Sequence, residues 1–258
     1  MEPVARPRPA ATVVMVRDGC GGLEAYLQRR PRTMGFAGGL WVFPGGRVDA
    51  ADADPAVDEV WDGPSPAAWA HRIGVTVEHA RGSVVAACRE TFEEAGVLLA
   101  DRPPDALALQ ACRRELLGGE RGFAAMLTRM GVRLDTRRLR YWAWWLTPER
   151  EPRRYDTRFF VAALPPGVMA SAEGLAEVEQ ERWLPPGAAA ADQSLPMLPP
   201  TRFTLRDLGG FETVEDLLEA GRHRPVEQVL PRLEGRELIM PWNERYPVPV
   251  PPDREARA

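Results

Sequence analysis

The sequence contains no lysine, and all 33 residues of the Lys and Arg group are arginine. This absence excludes mechanisms that need a lysine, such as Schiff-base formation or a P-loop phosphate site. Only 3 histidines and 3 cysteines are present, and the cysteines are widely spaced without a C-x-x-C pattern. These numbers argue against a histidine-rich metal centre, a zinc site and a disulfide framework, and they predict reduced thiols.

Long hydrophobic stretches are also missing. No run of 18 apolar residues is present, and residues 1–9 lack the apolar centre of a signal peptide. The final Ala-Arg-Ala is not a peroxisomal signal. A net charge of −4 gives no general attraction to nucleic acid or to an anionic membrane. We therefore expect a cytoplasmic protein that binds neither nucleic acid nor membranes.

The remaining composition is ordinary for a folded protein of 258 residues, with 45% hydrophobic and 27% charged residues. This length suits one large domain or a domain with an extension. Apolar patterns predict strands over 11–17, 23–29, 139–146 and 153–162, the first two as a hairpin. Helices are predicted over 84–95, 104–117, 120–130, 199–208 and 213–220, with a short one after Ser65. Extended segments are expected over 229–233 and 238–242, before a proline-rich tail from Pro247.

The stretch Arg89–Val97 contains three acids and one arginine. On a helical wheel, Glu90, Glu93 and Glu94 gather on one face. The opposite, apolar face is formed by Val84, Val85, Cys88, Phe92 and Ala95. Like charges at this spacing cost a helix about 0.2–0.5 kcal/mol per pair, which a bound divalent cation would offset. Gly96 is typical of a helix end, since that position usually requires positive φ. The alternative is a solvated acidic face that binds nothing.

Upstream, Trp41–Gly46 is an apolar segment that breaks into a Pro-Gly-Gly turn, which exposes backbone groups to a ligand. Together with the acidic helix, it resembles the Nudix box of the Nudix hydrolases. In this resemblance Gly46 is the box glycine, and Asp52 stands where the family usually has glutamate. The chain departs from the pattern at Thr91, a normally aliphatic position, and in the long spacer 53–88.

The long spacer, the string Arg-Glu-Thr-Phe-Glu-Glu-Ala-Gly-Val-Leu-Leu and the segment 147–160 resemble one branch, the coenzyme A diphosphatase-like enzymes of Nudix type 19. The resemblance implies an α/β fold, a Nudix-type α/β/α sandwich with a mixed sheet. It implies a Nudix domain over 1–195 with an insertion at 53–82, and a C-terminal helical extension over 196–258 packed on that domain. The insertion is expected to be either a lid or wall of the active site or a packed decoration.

The resemblance also implies the catalytic groups. Glu90, Glu93 and Glu94, with the Gly46 carbonyl, are expected to bind Mg²⁺ or Mn²⁺, hard ions that prefer carboxylate oxygen and water. Such ions neutralise phosphate charge and lower the pKa of an attacking water. Arg89 is expected to orient the carboxylates. The general base stays open between Glu93 and an acid of the 177–181 segment, and Asp52, one methylene shorter than glutamate, has no assigned contribution.

Further contacts with the substrate are implied for five residues, Arg29, Arg30, Trp41, Arg158 and Phe160. The arginines would bind phosphate oxygens in bidentate fashion, or they are solvated strand ends. Glu177 and Glu181 are candidates for an additional acid, with ordinary surface charge as the alternative.

Three functions are consistent with these residues. The first is metal-dependent hydrolysis of coenzyme A or acyl-CoA to a phosphopantetheine and adenosine 3′,5′-bisphosphate. The second is a Nudix pyrophosphatase for ADP-ribose, NADH or a sugar nucleotide. The third is a catalytically silent nucleotide sensor, which the costly set of three glutamates argues against. The expected partner is a small-molecule nucleotide, and the expected state is a monomer or homodimer.

Overall fold

The computed structural model describes residues 4–235 and 237–247. Its strands are β1 (Arg8–Gly19), β2 (Gly22–Arg29), β3 (Trp41–Val42), β4 (Gly45–Arg47), β5 (Trp61–Asp62), β6 (Leu134–Asp135), β7 (Leu139–Leu146), β8 (Tyr155–Ala163), β9 (Gln180–Leu184), β10 (Gln228–Val229), β11 (Arg232–Glu234), β12 (Glu237–Ile239) and β13 (Arg245–Pro247). Its α-helices are α1 (Pro66–Ile73), α2 (Val77–Ala95), α3 (Ala106–Leu117), α4 (Phe123–Met130), α5 (Pro186–Ala191), α6 (Pro199–Leu208) and α7 (Val214–Ala220). Short 3-10 turns cover Ala50–Ala53, Pro55–Val60 and Thr136–Arg138.

The main sheet is mixed and runs in the order β10-β7-β8-β1-β2-β3, with β4 paired to β1 and β9 paired to β2. Strand β1 is parallel to β8 and antiparallel to β2 and β4. The predicted hairpin of the first two strands is therefore confirmed. The register of β4 places Gly46 opposite Ala11, so the predicted Pro-Gly-Gly turn lies at an edge of this sheet.

Helices cover both faces of the sheet, because alternate side chains of each strand point to opposite sides. Ala11, Val13 and Met15 of β1 pack in one core with α1 to α4. Val14 and Val16 of the same strand pack in a second core with α5, α6 and α7. The predicted α/β/α sandwich with a mixed sheet is confirmed.

The segment 53–82 is packed into the first core. Ser65 caps α1 by accepting the Ala68 N–H at 3.2 Å, as its sequence predicts. Trp69 is buried and makes an edge-to-face contact with Phe160, with ring centroids 5.8 Å apart. Helix α2 begins at Val77, so the expected end of the insertion at residue 82 falls inside this helix. These contacts favour the packed decoration over the lid.

The segment after residue 195 contains the two expected helices and, near the extended segments expected over 229–233 and 238–242, short strands, so the extension is mixed and not only helical. Helices α6 and α7 complete the second core, and β11, β12 and β13 form a separate antiparallel sheet beside them. Strand β10 joins the edge of the main sheet next to β7. Of the expected proline-rich tail, all but Pro247 lies outside the described residues. Across the described ranges, no helix is long and apolar enough to cross a membrane.

Candidate active site

Helix α2 holds the acidic stretch against the edge of the main sheet. The helix begins at Val77, earlier than the start expected at Val84, and Thr76 caps it by accepting the His79 N–H at 3.2 Å. Gly96 ends the helix at φ 68°, as the sequence predicts. The predicted apolar face is buried, since Phe92 and Ala95 are 0% exposed. The buried face fixes the orientation of the helix, so the acids are held on its opposite side.

Two of the three glutamates touch β4. The Gly45 N–H donates to Oε2 of Glu94 at 2.8 Å. A Cβ atom added to Gly46 would lie 2.3 Å from Oε1 of Glu90, well inside a contact distance. A side chain at this position would therefore displace the Glu90 carboxylate.

Arg89 connects the acids to one another. Its Nη1 donates to Oε1 of Glu90 at 2.8 Å and to Oε2 of Glu93 at 3.1 Å. Its Nη2 also donates to the backbone carbonyl of Arg47 at 3.0 Å. The guanidinium thus fixes two carboxylates and the end of β4 at once.

Asp52 completes this arrangement, although its sequence position left its contribution open. It is 3% exposed and accepts both Nε and Nη2 of Arg89 at 2.9 Å, a bidentate pair. Its Oδ2 also accepts the Asp49 N–H at 2.9 Å. The shorter aspartate therefore serves as the anchor that orients Arg89. The long spacer 53–88 hides this pairing from a sequence pattern.

The register of β4 corrects the expected role of the Gly46 carbonyl. The bonded pairs on either side of Ala11 and Gly46 are Val13 with Pro44 and Pro9 with Val48. Because bonded pairs alternate in an antiparallel ladder, the backbone groups of Gly46 point toward Ala11 in β1. Those of Gly45 point outward, as its bond to Glu94 shows. The outward carbonyl beside the acids is that of Gly45.

The electrostatics of the site favour a bound cation. Burial and the nearby Glu90 carboxylate raise the pKa of Glu94 to about 8, against the opposing effect of the Gly45 N–H. Burial raises the pKa of Glu90 to about 7, with Arg89 opposing and Glu93 adding to the rise. Burial likewise raises the pKa of Glu93. Carboxyl groups that resist ionisation in this way gain from a nearby divalent ion.

The donor chemistry fits a hard divalent cation, because the three glutamates and an outward carbonyl supply only oxygen. Within residues 4–235 and 237–247, no three His, Cys, Asp or Glu side chains are arranged closely enough to hold a metal ion. Glu90 and Glu93 are turned toward Arg89, and Glu94 is turned toward Gly45. Metal binding therefore requires these carboxylates to rotate from their present partners.

Of the five expected substrate residues, the two early arginines lie at the end of β2, and only Arg30 acts on the acidic site. Arg30 donates to Oε2 of Glu177 at 3.3 Å, and its charge acts to lower the pKa of Glu94. Arg29 donates to the Gly39 carbonyl at 3.3 Å.

The other three expected substrate residues are buried, which corrects their assignment. Trp41 is 2% exposed and Phe160 is 0% exposed, each within a core. Arg158 is 1% exposed, lies over the Trp144 ring and pairs with Asp156. The sequence pattern predicts the strand that carries Arg158 and Phe160, but it does not show which of its side chains are covered by a helix.

The two candidate additional acids have different surroundings. Glu181 accepts the Tyr26 hydroxyl and the Ala172 N–H, both at 2.6 Å. Glu177 is largely exposed, pairs with Arg30, and its charge adds to the rise in the pKa of Glu94. Of the two acids, Glu177 is therefore the one whose carboxylate is exposed to solvent and acts on the acidic site.

This fold and this acidic site define a Nudix-type hydrolase. A crystal structure of a NUDIX hydrolase from Alicyclobacillus acidocaldarius is similar, with a TM-score of 0.70 and 29% identity over 86% of this chain and 99% of that chain. The NUDT19 Nudix domain family matches residues 70–208, more than half of the chain. The chain belongs to this family, and the predicted family, fold and enzyme class, a pyrophosphohydrolase, are confirmed.

Curated relatives support the same branch. A chicken (Gallus gallus) protein named acyl-coenzyme A diphosphatase NUDT19 is 29% identical over 86% of this chain and 72% of its own length. The human (Homo sapiens) protein of the same name is 28% identical over 95% of this chain and 75% of its own length. The similarity therefore extends on both sides of the matched domain.

Proposed function

We propose that this protein hydrolyses the pyrophosphate bond of coenzyme A or acyl-CoA, giving a phosphopantetheine and adenosine 3′,5′-bisphosphate. The observation that supports it is the set of three glutamates held beside β4 by Arg89 and Gly45, in a chain similar to proteins named acyl-coenzyme A diphosphatases. In the reaction the oxygen of water bonds to one phosphorus, and the bridging oxygen leaves with the other. A nucleotide sensor has no need of such a costly acid set.

We assign the metal site to Glu90, Glu93, Glu94 and the Gly45 carbonyl, and the ion to Mg²⁺ or Mn²⁺. When bound, such an ion neutralises phosphate charge and lowers the pKa of the attacking water. Arg89, anchored by Asp52, positions Glu90 and Glu93 for this task.

Two residues beside Glu94 are assigned to substrate and proton transfer. Arg30 is placed to bind a phosphate oxygen once Glu177 is displaced from its guanidinium. Glu177 is the preferred acid of the 177–181 segment for accepting the proton of water, because Glu181 is occupied by Tyr26 and Ala172. Glu93 is the alternative general base.

We further propose a cytoplasmic location. Cys20, Cys88 and Cys112 are all free thiols in the structure, and free thiols are typical of a reducing compartment. Fluorescence microscopy of a tagged full-length chain in its native cell tests this proposal.

The test of the reaction is a turnover panel on the wild-type protein and Glu94→Gln. Coenzyme A, an acyl-CoA, ADP-ribose, NADH and a sugar nucleotide are each incubated with Mg²⁺ or Mn²⁺, and the products are separated by chromatography. Glu94→Gln should reduce turnover on the order of a thousandfold, because a catalytic metal contributes several kcal/mol. The matched control is Glu78→Gln, an exposed acid in the first turn of the same helix, which should retain activity.

Adenosine 3′,5′-bisphosphate from the CoA substrates, lost in Glu94→Gln alone, supports the proposal. Turnover of only ADP-ribose, NADH or the sugar nucleotide rejects the substrate and retains the pyrophosphohydrolase. Full activity of a folded Glu94→Gln protein would reject the metal site.

A further inference from the structure

The last turn of helix α2 carries two of the assigned metal ligands, Glu93 and Glu94. Carbonyl groups at the end of a helix lack partners within the helix, and helix ends fray for this reason. The Phe92 carbonyl accepts the Gly96 N–H at 2.9 Å. The next three carbonyls, those of residues 93–95, depend on groups outside the helix. The two carboxylates therefore stand on the part of α2 that its own hydrogen bonds hold least.

A glutamine of β2 bonds the Glu94 carbonyl. Nε2 of Gln28 donates to it at 2.9 Å, and the Gln28 side chain is 1% exposed. Gln28 lies two residues after Tyr26, which packs in the core shared with α2, so both side chains point toward this helix. A buried donor that ends on a backbone carbonyl fixes the main chain of α2 and leaves the Glu94 carboxylate free to turn.

An arginine of α3 bonds the Glu93 carbonyl. Both Nε and Nη2 of Arg113 donate to it, at 3.0 and 2.9 Å. Within residues 4–235 and 237–247, this half-buried guanidinium forms no ion pair. A charge withdrawn from water without a carboxylate partner costs stability. Stability alone therefore does not account for the position of Arg113, whereas its contact with the acidic turn does.

The third carbonyl, that of Ala95, accepts the Ser171 N–H at 2.8 Å. The next residue of that segment, Ala172, donates its N–H to Oε2 of Glu181 at 2.6 Å. The same carboxylate oxygen accepts the Tyr26 hydroxyl at 2.6 Å. Glu181, one of the two candidate additional acids, thus supports the segment that holds the end of α2.

The three contacts come from separate elements, and each of them ends on a backbone carbonyl and not on a carboxylate. Metal binding requires the side chains of Glu93 and Glu94 to rotate away from Arg89 and Gly45. They can meet at one ion only if the backbone from which they rotate stays in place, and a misplacement of about 1 Å can cost roughly 100-fold in rate. The bonds to the carbonyls supply this fixed position without using the carboxylates.

We propose that Gln28 and Arg113 are positioning residues, which bind the carbonyls of Glu94 and Glu93 and so fix the backbone from which these glutamates reach the metal ion. This role rests on the proposed function, since the two glutamates are the metal ligands assigned there. Neither Gln28 nor Arg113 touches the substrate or the ion; both act through the helix end.

The test measures metal binding and turnover separately. Gln28→Met and Arg113→Met each remove the donors and keep an unbranched side chain, and Arg113→Lys keeps one donating group as the rescue variant. Arg114→Met is the matched control, since Arg114 is the exposed neighbour of Arg113 on α3. Mn²⁺ affinity is measured by calorimetry well below the Tm of each protein. The values of kcat and KM are measured on the substrate that the wild type turns over fastest, and Tm is recorded for every variant.

Gln28→Met and Arg113→Met should each weaken Mn²⁺ binding about tenfold or more and lower kcat by a similar factor, as for other groups that orient metal ligands. KM at saturating Mn²⁺ should change little, because no contact with the substrate is removed. Arg113→Lys should recover most of the lost affinity and kcat, and Arg114→Met should match the wild type.

Folded variants that have a lower Tm but the Mn²⁺ affinity and kcat of the wild type overturn the proposal, because the contacts then serve stability alone. A wild type that binds no Mn²⁺ overturns it as well. If Mn²⁺ binding weakens as expected but coenzyme A and acyl-CoA are not hydrolysed, the positioning role is supported and only the proposed substrate fails.

Discussion

Arg89 of α2 and Arg47 of β4 lie close together but differ in the contacts of their side chains. Arg89 is buried, and its guanidinium is held in place because it donates hydrogen bonds to Asp52, Glu90 and Glu93. Arg47 lies on the exposed side and has no side-chain partner among residues 4–235 and 237–247. The first holds the catalytic acids in place, and the second is free to bind something that arrives from solution.

The difference shows how one residue type serves two purposes in a chain without lysine. A guanidinium surrounded by carboxylates is a structural element, because its donors are already used. A guanidinium with unused donors in a groove keeps its capacity for a phosphate. The number of hydrogen-bond partners, and not the arginine itself, distinguishes positioning from recognition.

The largest effect is expected from Asp52→Asn, which leaves Arg89 without its buried carboxylate. Breaking a buried ion pair by removing one partner costs about 3–5 kcal/mol, which corresponds to a decrease in Tm of roughly 6–20 °C for a chain of this size. Turnover should fall as well, because Glu90 and Glu93 lose their fixed neighbour. Differential scanning calorimetry and the turnover assay measure the two effects.

The control for this substitution is Asp52→Glu, which restores the residue usual in the family resemblance and keeps the charge. It should retain most of the activity. An Asp52→Asn protein as stable and active as wild type would show that Arg89 does not need its anchor.

A second comparison uses the neighbouring glycines Gly45 and Gly46. A Cβ at Gly46 would meet the end of the flexible Glu90 side chain at 2.3 Å, whereas one at Gly45 would meet the backbone carbonyl of Ala11 at 2.6 Å. Gly46→Ala should therefore reduce turnover about 100-fold, or about 2.7 kcal/mol, with little change in Tm. Gly45→Ala should lower Tm, because backbone cannot move aside. Equal effects of both on Tm would contradict the assigned position of Glu90.

The third prediction concerns pH and metal. The pKa of Glu90 is raised to about 7 and that of Glu94 to about 8, so the folded protein binds more protons than the unfolded chain above their ordinary value of 4.5. Without metal, stability should be full below about pH 4.5 and fall as pH rises toward 8. Mg²⁺ at 100 times its Kd should restore about 2.7 kcal/mol at pH 8, or roughly 5–10 °C in Tm.

Thermal melts at pH 5.5 and 8, with EDTA or Mg²⁺, measure this dependence. Glu94→Gln should show a weaker pH slope and a smaller effect of Mg²⁺. A metal-free wild type that becomes more stable from pH 5.5 to 8 would reverse the expected sign.

The sequence predicts the end and the buried face of the acidic helix, because both depend on neighbouring residues, but it places the start at Val84 instead of Val77. The spacing of Phe92 and Ala95 defines the buried face, and Gly96 ends the helix. The bond between Asp52 and Arg89 could not be predicted, since the 36 residues of 53–88 separate them and nothing in the spacer reveals its path. Which carbonyl of the glycine turn faces the acids likewise depends on the register with β1.

The burial of the expected substrate residues could not be predicted from the sequence either. Arg158 and Phe160 lie in a segment that was predicted as a strand, yet α1 and α2 cover the face on which they lie.

The smallest effect is expected for the stability of Arg47→Gln, and it tests directly whether Arg47 differs from Arg89. Because the side chain is exposed and has no ion pair in the described ranges, its replacement should change the free energy of unfolding by no more than about 0.5 kcal/mol. Tm measured by calorimetry should therefore stay within about 2 °C of wild type. A decrease comparable to that of Asp52→Asn would mean that Arg47 is a structural arginine like Arg89.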